Sequence, residues 1–263
     1  MSLRATCPEL LDQRIAENVN AQEINLVEWI FERLEVQPED HVLELCAGTG
    51  AQTLRFAELL GHSGKILALD ISVDALNALS SKSTPSQRTK LELIRSDVGE
   101  LSQALRHSPS AKTGFDLMFC AYGLYYSQDA ERLLNEARNW LKPGGRIAIA
   151  GPFGLNNRQL FELVRASGAT IAEAVIDSSQ RFMFKTVLPW AATNFESVSV
   201  HTVVNHVRWA TAEKVLNYWQ NSTFYDPEKR MAFQSLLNRH FAQHSEFVNE
   251  KWVMMVEMKR ARS

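Results

Sequence analysis

The sequence predicts an α/β protein built on a doubly wound, mostly parallel sheet, and three observations carry that prediction. Between residues 41 and 151, short apolar runs of strand character alternate five times with helix-patterned stretches. The runs are apolar at nearly every position rather than at every second one, as strands covered on both faces are. The chain of 263 residues is also long enough, because surface scaling lets about 73% of its unfolded surface be buried in one sizeable core.

The elements follow in order. Ile24, Val27, Trp29, Ile30, Phe31 and Leu34 recur at helical spacing, until Pro38, Glu39 and Asp40 break the pattern. HVLELCAGTG (41–50) is an apolar strand running into small residues, and AQTLRFAELL is a helix closed by Gly61. KILALD (65–70), LELIRSD (91–97), FDLMFCAY (115–122) and RIAIAG (146–151) are four further strands. VDALNALSSK, VGELSQALRH and DAERLLNEARNWL are the helices between them, and Lys142-Pro143-Gly144-Gly145 stops the last. SSKSTPSQRTK (80–90) reads as a loop.

Beyond residue 151 the pattern loosens. NNRQLFELVRASGA reads as a helix, and 180–192 as a helix up to about Val187, because Pro189 disfavours helical backbone at the residue before it. SVSVHTVVNHVRW contains a strand, ATAEKVLNYWQNS and PEKRMAFQSLLNRHFAQH are helices, and residues 252–260 are a final strand. One domain is expected, with 1–40 as a helical cap, 41–151 as a ligand-binding half, and 152–263 as a second half with inserted helices.

Composition narrows the function classes. No run of 18 apolar residues is present, and the N-terminus has no apolar core of a secretory leader, so a cytoplasmic chain is expected. Cys7, Cys46 and Cys120 are odd in number and not at metal-ligand spacing, which fits a reducing compartment and argues against a metal site. Of the seven histidines only His240 and His244 share a helical face, and they lack the glutamate of a zinc motif. The net charge of −2 supplies no field for nucleic acid. A small-molecule substrate is expected, acting on a monomer or homodimer.

The chemistry concentrates at the strand ends. Glu44 stands just before Cys46-Ala47-Gly48-Thr49-Gly50, where the glycines permit close approach of a ligand to the backbone. Asp70 ends the second strand, where a carboxylate can accept from both hydroxyls of a ribose, and Asp97 ends the third. Any one of these alone reads as a helix cap or a solvated strand end. Three in succession beside a glycine turn read as a nucleoside site. Glu44 repels a pyrophosphate but suits an ammonium group, which disfavours a nicotinamide dinucleotide and fits S-adenosylmethionine (SAM).

ELCAGTG, LALDIS, SDV, FDLMFCAYGLYYSQD and LKPGGRIAIA, in that order, resemble the motifs of class I SAM-dependent methyltransferases. Within them the chain is similar to the small-molecule, ubiquinone/menaquinone-type branch. The resemblance covers about residues 41–151 and implies a seven-stranded Rossmann-like sheet with helices on both faces and an added helical cap. One departure stands out: Cys46 occupies the place of the motif's first glycine, and is expected to be a tolerated small residue.

The resemblance implies that Glu44 sits near the methionine amino group and that Cys46, Ala47, Gly48, Thr49 and Gly50 line methionine and ribose. Asp70 would hold the ribose hydroxyls with Ile71 on the adenine. Asp97 and Val98 would meet the adenine edge, and Cys120 and Ala121 would pass beside the methionine tail. Arg14 and Asn18 could reach the methionine carboxylate. The expected function is methyl transfer to a small apolar or aromatic acceptor, with S-adenosylhomocysteine (SAH) as product. Tyr122, Tyr125, His201 and His206 are candidates for a base, although the tyrosines more often shape a pocket and the histidines more often pack or face solvent. Tyr122, Tyr125 and Phe153 are candidate acceptor contacts. A SAM-binding protein without turnover, or a protein or RNA methyltransferase, remains the alternative.

Overall fold

The computed structural model describes residues 7–259. Its sheet has seven strands: β1 (His41–Leu45), β2 (Lys65–Asp70), β3 (Leu91–Arg95), β4 (Phe115–Ala121), β5 (Leu141–Pro152), β6 (Ser197–Trp209) and β7 (Phe247–Lys259). Their order is β3-β2-β1-β4-β5-β7-β6. The first five strands pair in parallel, with Val42 opposite both Ile66 and Leu117, Ile66 opposite Leu91, and Met118 opposite Ile147. β6 and β7 form the one antiparallel hairpin, and helices lie on both faces. The chain winds outward from β1 through β2 to β3 and then returns to the other side of β1 as β4. That reversal opens the crevice beyond the C-terminal ends of β1 and β4 where ligands of such sheets bind.

The sequence explains why these runs are strands. Val42, Leu43 and Leu45 of β1 and Ile66, Leu67, Ala68 and Leu69 of β2 are all fully buried, so both faces are covered. No helix among the described residues is long and apolar enough to cross a membrane.

The described residues fall into two compact units. The larger comprises Leu26–Gly151, Met183–His201 and the chain from Met254. Its core includes an aromatic cluster in which Phe56 meets Phe31 and Phe119 edge-on at 4.7 and 5.2 Å. Below the sheet, Arg146 donates to Asp40 at 2.8 Å in a nearly buried pair. The helix Leu188–Asn194 is pinned by Trp190, whose indole N–H donates to Asn135 at 3.1 Å.

The smaller unit comprises the residues up to Asn25, Pro152–Phe182 and Thr202–Val253. Trp209, Trp219, Phe233, Leu160 and Leu237 are fully buried in its core. Asn205, also buried, accepts from the Ile24 amide and donates to the Ile24 carbonyl, which fixes the chain after the first helix, Pro8–Ala21. Lys251 is buried there, and among the described residues no carboxylate pairs with it. Its ammonium donates to Asn157 Oδ1 at 2.6 Å and to Tyr218 Oη at 2.5 Å.

Local chemistry overrides four sequence expectations. The stretch 80–90 is not all loop: Pro85–Arg88 is one helical turn held by a capping box between Thr84 and Gln87. Pro189 does not end a helix: the π-wound segment Met183–Val187 runs straight into Leu188–Asn194, and the proline follows that junction by one residue. In the larger unit Met183–Val187 is wound as a π-helix, and in the smaller unit so is Asp177–Arg181. β5 begins at Leu141 and β7 at Phe247, both earlier than their apolar runs, because backbone pairing does not require apolar side chains.

Candidate active site

The turn after β1 decides the geometry. Cys46, Gly48 and Gly50 all have left-handed backbone, with φ of 58°, 56° and 90°. A Cβ on Gly50 would lie 2.2 Å from Leu79 Cδ1, so the turn packs directly on the helix Val73–Lys82. The Ala47 amide donates to the Leu69 carbonyl at 3.1 Å, tying the turn to the end of β2. The helix Ala51–Leu59 then starts with Gly50 as its cap and no side chain satisfying its first amides, so its positive end faces the crevice. Ala47 and Thr49 are buried within the turn.

Cys46 adopts a conformation that costs a side-chain-bearing residue about 1–2 kcal/mol. The space for its side chain comes from Gly123, where a Cβ would lie 2.2 Å from Cys46 Cβ. Gly123 was invisible as a site residue in the sequence because its role depends on a residue far away in the chain.

Asp70 holds this turn in place. Its Oδ2 accepts from the Gly48 amide at 2.8 Å and its Oδ1 from the Ser72 amide at 2.8 Å. Each carboxylate oxygen keeps a second acceptor direction, which is what two ligand hydroxyls require. Ile71, next to it, is 37% exposed, an apolar side chain left facing outward at the strand end. Asp97 accepts from the Gly99 amide at 2.7 Å and caps the short helix Val98–Glu100, whose Val98 is buried. Arg132 donates to the Gly99 carbonyl at 2.9 Å and steadies that loop.

Glu44 lies on β1, one residue inside the strand end, and is only 2% exposed. Its Oε2 is buried with no hydrogen-bond partner among the described residues. Burial pushes its carboxyl up to about 8, and the charge of Asp70 adds to the shift. The Thr53 hydroxyl opposes it, though without forming a hydrogen bond of good geometry. A buried carboxyl held neutral in this way lacks a cation, and an ammonium group beside it would supply one.

On the other side of the crevice, Cys120 is fully buried, Ala121 ends β4, and Tyr122 follows with φ 56°. The Tyr122 amide donates to the Ala150 carbonyl at 2.9 Å, which prolongs the β4–β5 ladder by one step. Tyr125 and Tyr126 follow on a short helical turn with their rings edge-on at 4.7 Å. Glu44, Cys46 to Gly50, Asp70, Ile71, Asp97, Val98, Cys120, Ala121, Tyr122 and Tyr125 all belong to the larger unit.

The remaining candidates behave differently. His206 is half-buried in the smaller unit, its Nδ1 3.1 Å from the Glu23 carboxylate that also pairs with Arg208. His201 lies on β6 in the larger unit. Phe153 is buried in the smaller unit with its ring 5.6 Å from that of Trp252. Trp209 is fully buried beside Tyr218 and Phe247, so it is core. Asn18 lies on the first helix of the smaller unit. The side chain of Arg14 falls outside the described residues.

Residues 37–221 match the family described as "Methyltransferase domain". The chain belongs to this family. Its fold is that of SAM-dependent methyltransferases of known structure, whose methyl donor is SAM. Among curated proteins it is similar to the demethylmenaquinone methyltransferases of Oceanobacillus iheyensis and Lactobacillus johnsonii. It is 30% identical to the first over 117 residues (44% of this chain, 46% of the relative). It is 32% identical to the second over 120 residues (45% and 46%). It also resembles a 2-phytyl-1,4-naphtoquinone methyltransferase of Trichormus variabilis, 30% identical over 123 residues (47% and 51%). The chain thus spans about half the length of the curated relatives it matches.

Solved structures share the fold. The YcgJ protein of Bacillus subtilis superposes with a TM-score of 0.58 at 12% identity, covering 90% of this chain and 98% of that one. A SAM-dependent methyltransferase from Geobacter sulfurreducens, solved with S-adenosyl-L-homocysteine, gives 0.53 at 15% identity over 89% and 90%.

Proposed function

We propose that this protein transfers a methyl group from SAM to a small, largely apolar or aromatic acceptor of quinone type. The observation that carries the cofactor side is Glu44, a buried carboxyl with an unpartnered oxygen at the end of β1, beside a turn that Asp70 orders. The quinone methyltransferase names of the relatives support the acceptor class.

Each residue has a distinct task in this reading. Glu44 ionises as it meets the ligand ammonium, so its charge appears only where it is compensated. Asp70 accepts from the ribose hydroxyls with lone pairs that the Gly48 and Ser72 amides do not use. Ile71 packs on the adenine face, and Asp97 with Val98 meets its edge. Cys46 to Gly50, Cys120 and Ala121 line the methionine portion. SAM brings a methyl group already activated by the sulfonium, so the chain's contribution is alignment and exclusion of water. Tyr122 and Tyr125, after β4, bound the acceptor side. A base is needed only for an acceptor that must lose a proton, and among the candidates Tyr122 and Tyr125 precede His201 and His206.

The test is calorimetric titration with SAM and SAH, followed by methyl-transfer assays on reduced naphthoquinones and benzoquinones with and without an isoprenoid tail. SAM binding with methylated quinol supports the proposal. SAM binding with no turnover on any of these acceptors favours a SAM-binding sensor or a different substrate class.

A further inference from the structure

The crevice holds two thiols whose closeness the proposed function does not require. Leu45 is in register with Cys120 across the parallel β1–β4 pair, so Cys46 leaves the sheet directly beside Cys120. The left-handed backbone at Cys46 turns its side chain toward Gly123. A Cβ on Gly123 would lie 2.6 Å from Cys46 Sγ and 3.5 Å from Cys120 Sγ, so both sulfurs border the one space that this glycine leaves open. The two thiols are thus near neighbours across the β1–β4 pair, on either side of the space above Gly123. Cys120 is buried and Cys46 is partly exposed, an arrangement of one reachable thiol with a second immediately behind it.

We propose that Cys46 and Cys120 are a disulfide-forming pair, oxidised by hydroperoxides, and that closing the bond blocks SAM binding. This rests on the reading that both residues line the SAM site. The Cys46 sulfur, as thiolate, attacks the peroxide O–O bond. It becomes a sulfenic acid, and the peroxide leaves as water or an alcohol. The Cys120 sulfur then attacks the Cys46 sulfur, and the sulfenic hydroxyl departs with the Cys120 proton as water. Two thiols lose two electrons and two hydrogens in all, and one hydroperoxide is reduced.

An S–S bond of about 2.05 Å closes the gap between the two sulfurs and draws Cys46 toward β4. The turn behind it is built from alternating left-handed residues and is fixed at Gly48 by Asp70, so a displaced Cys46 moves the Gly48 amide off its acceptor. The neighbouring Cys120 thiol, and then burial, raise the Cys46 thiol well above its ordinary range, so little thiolate is present at neutral pH. Oxidation is therefore slow at pH 7 and accelerates as pH rises.

The experiment uses the full chain carrying Cys7→Ser, which leaves only this pair, and the unmutated chain as a second sample analysed by peptide mass. Each is treated with hydrogen peroxide at pH 7 and pH 9, freed of oxidant, alkylated under denaturing conditions and weighed intact. SAM affinity is measured before treatment, after it, and after dithiothreitol. The expected result is loss of two alkylatable thiols with a mass decrease of two hydrogens, faster at pH 9. SAM affinity falls at least tenfold and returns on reduction, and prior saturation with SAH slows the reaction. Stepwise oxidation of Cys46 with Cys120 still free overturns the proposal, as does a disulfide that leaves SAM affinity unchanged. Failure of the untreated, reduced protein to bind SAM overturns the cofactor-site reading itself, and the inference with it.

Discussion

The Asp70 carboxylate holds the Gly48 amide at 2.8 Å, and so fixes the glycine turn from the neighbouring strand before any ligand arrives. The residue expected to grip a ribose is thus also the residue that shapes the cradle. Its two roles can be separated by substitution.

Asp70→Ala leaves the Gly48 and Ser72 amides without their acceptor. Asp70 is only partly buried, so water replaces some of what is lost, and a stability decrease of about 1–2 kcal/mol is expected by urea denaturation. SAM affinity falls at least about tenfold by calorimetry. Asp70→Asn is expected to be nearly as damaging, because its NH2 group must face one of two backbone donors. An Asn variant with wild-type affinity would leave Asp70 a purely local role.

Glu44 makes both stability and cofactor binding pH-dependent. Its carboxyl stands at about 8 in the folded chain against an ordinary value of 4.5. A raised value means that the neutral form is favoured by folding. That stabilisation is complete below about pH 4.5 and is lost as pH rises through about 8, a swing of about 5 kcal/mol at most. The difference in stability between wild type and Glu44→Gln, followed from pH 5 to pH 9, should change in favour of Gln.

Cofactor binding should run the other way. A ligand ammonium draws the proton off Glu44, so SAM binding at pH 7 releases close to one proton. This is measured as a dependence of the calorimetric enthalpy on the ionisation enthalpy of the buffer. Glu44→Gln abolishes that dependence and weakens SAM more than an analogue lacking the α-amino group.

Gly123 and Cys46 form a size-coupled pair. Gly123→Ala puts a methyl group 2.2 Å from Cys46 Cβ and should cost about 1–3 kcal/mol of stability, together with cofactor affinity. Cys46→Gly relieves the left-handed strain and should stabilise the chain slightly. The double variant is expected to recover most of the loss, read as a coupling energy in a double-mutant cycle.

Arg146 and Asp40 provide a control remote from the crevice. Arg146→Ala leaves the nearly buried Asp40 carboxylate with only the Gln37 amide and takes a cation from the buried Glu257, and should cost about 3 kcal/mol. SAM affinity of the folded fraction should be unchanged.

The sequence was most legible where one physical rule sufficed. Short continuous apolar runs such as KILALD, alternating with helix-patterned stretches, read as strands covered on both faces, and the carboxylates at their ends followed from that register. It was least legible where the deciding partner was remote. Nothing local to Cys46 announces a left-handed backbone, because the glycine that makes room for it is Gly123. The Thr84-Pro85-Ser86-Gln87 cap was readable and was hidden only by the polar residues around it. The aromatic residues beyond 151 could not be sorted into core and pocket from spacing, and Trp209 proved to be core.

The π-wound segments Asp177–Arg181 and Met183–Val187 have a consequence for length variation. A π turn holds one residue more than the α turn it replaces, so each segment carries a surplus that its neighbours do not need. Removing one residue from Met183–Val187 lets it rewind as an α turn while Leu188–Asn194 keeps its place and Trp190 keeps Asn135. The same deletion inside the Phe56 helix would instead rotate every later side chain out of register. Evolution can therefore edit the count of residues in this part of the chain without redrawing the parts that flank it.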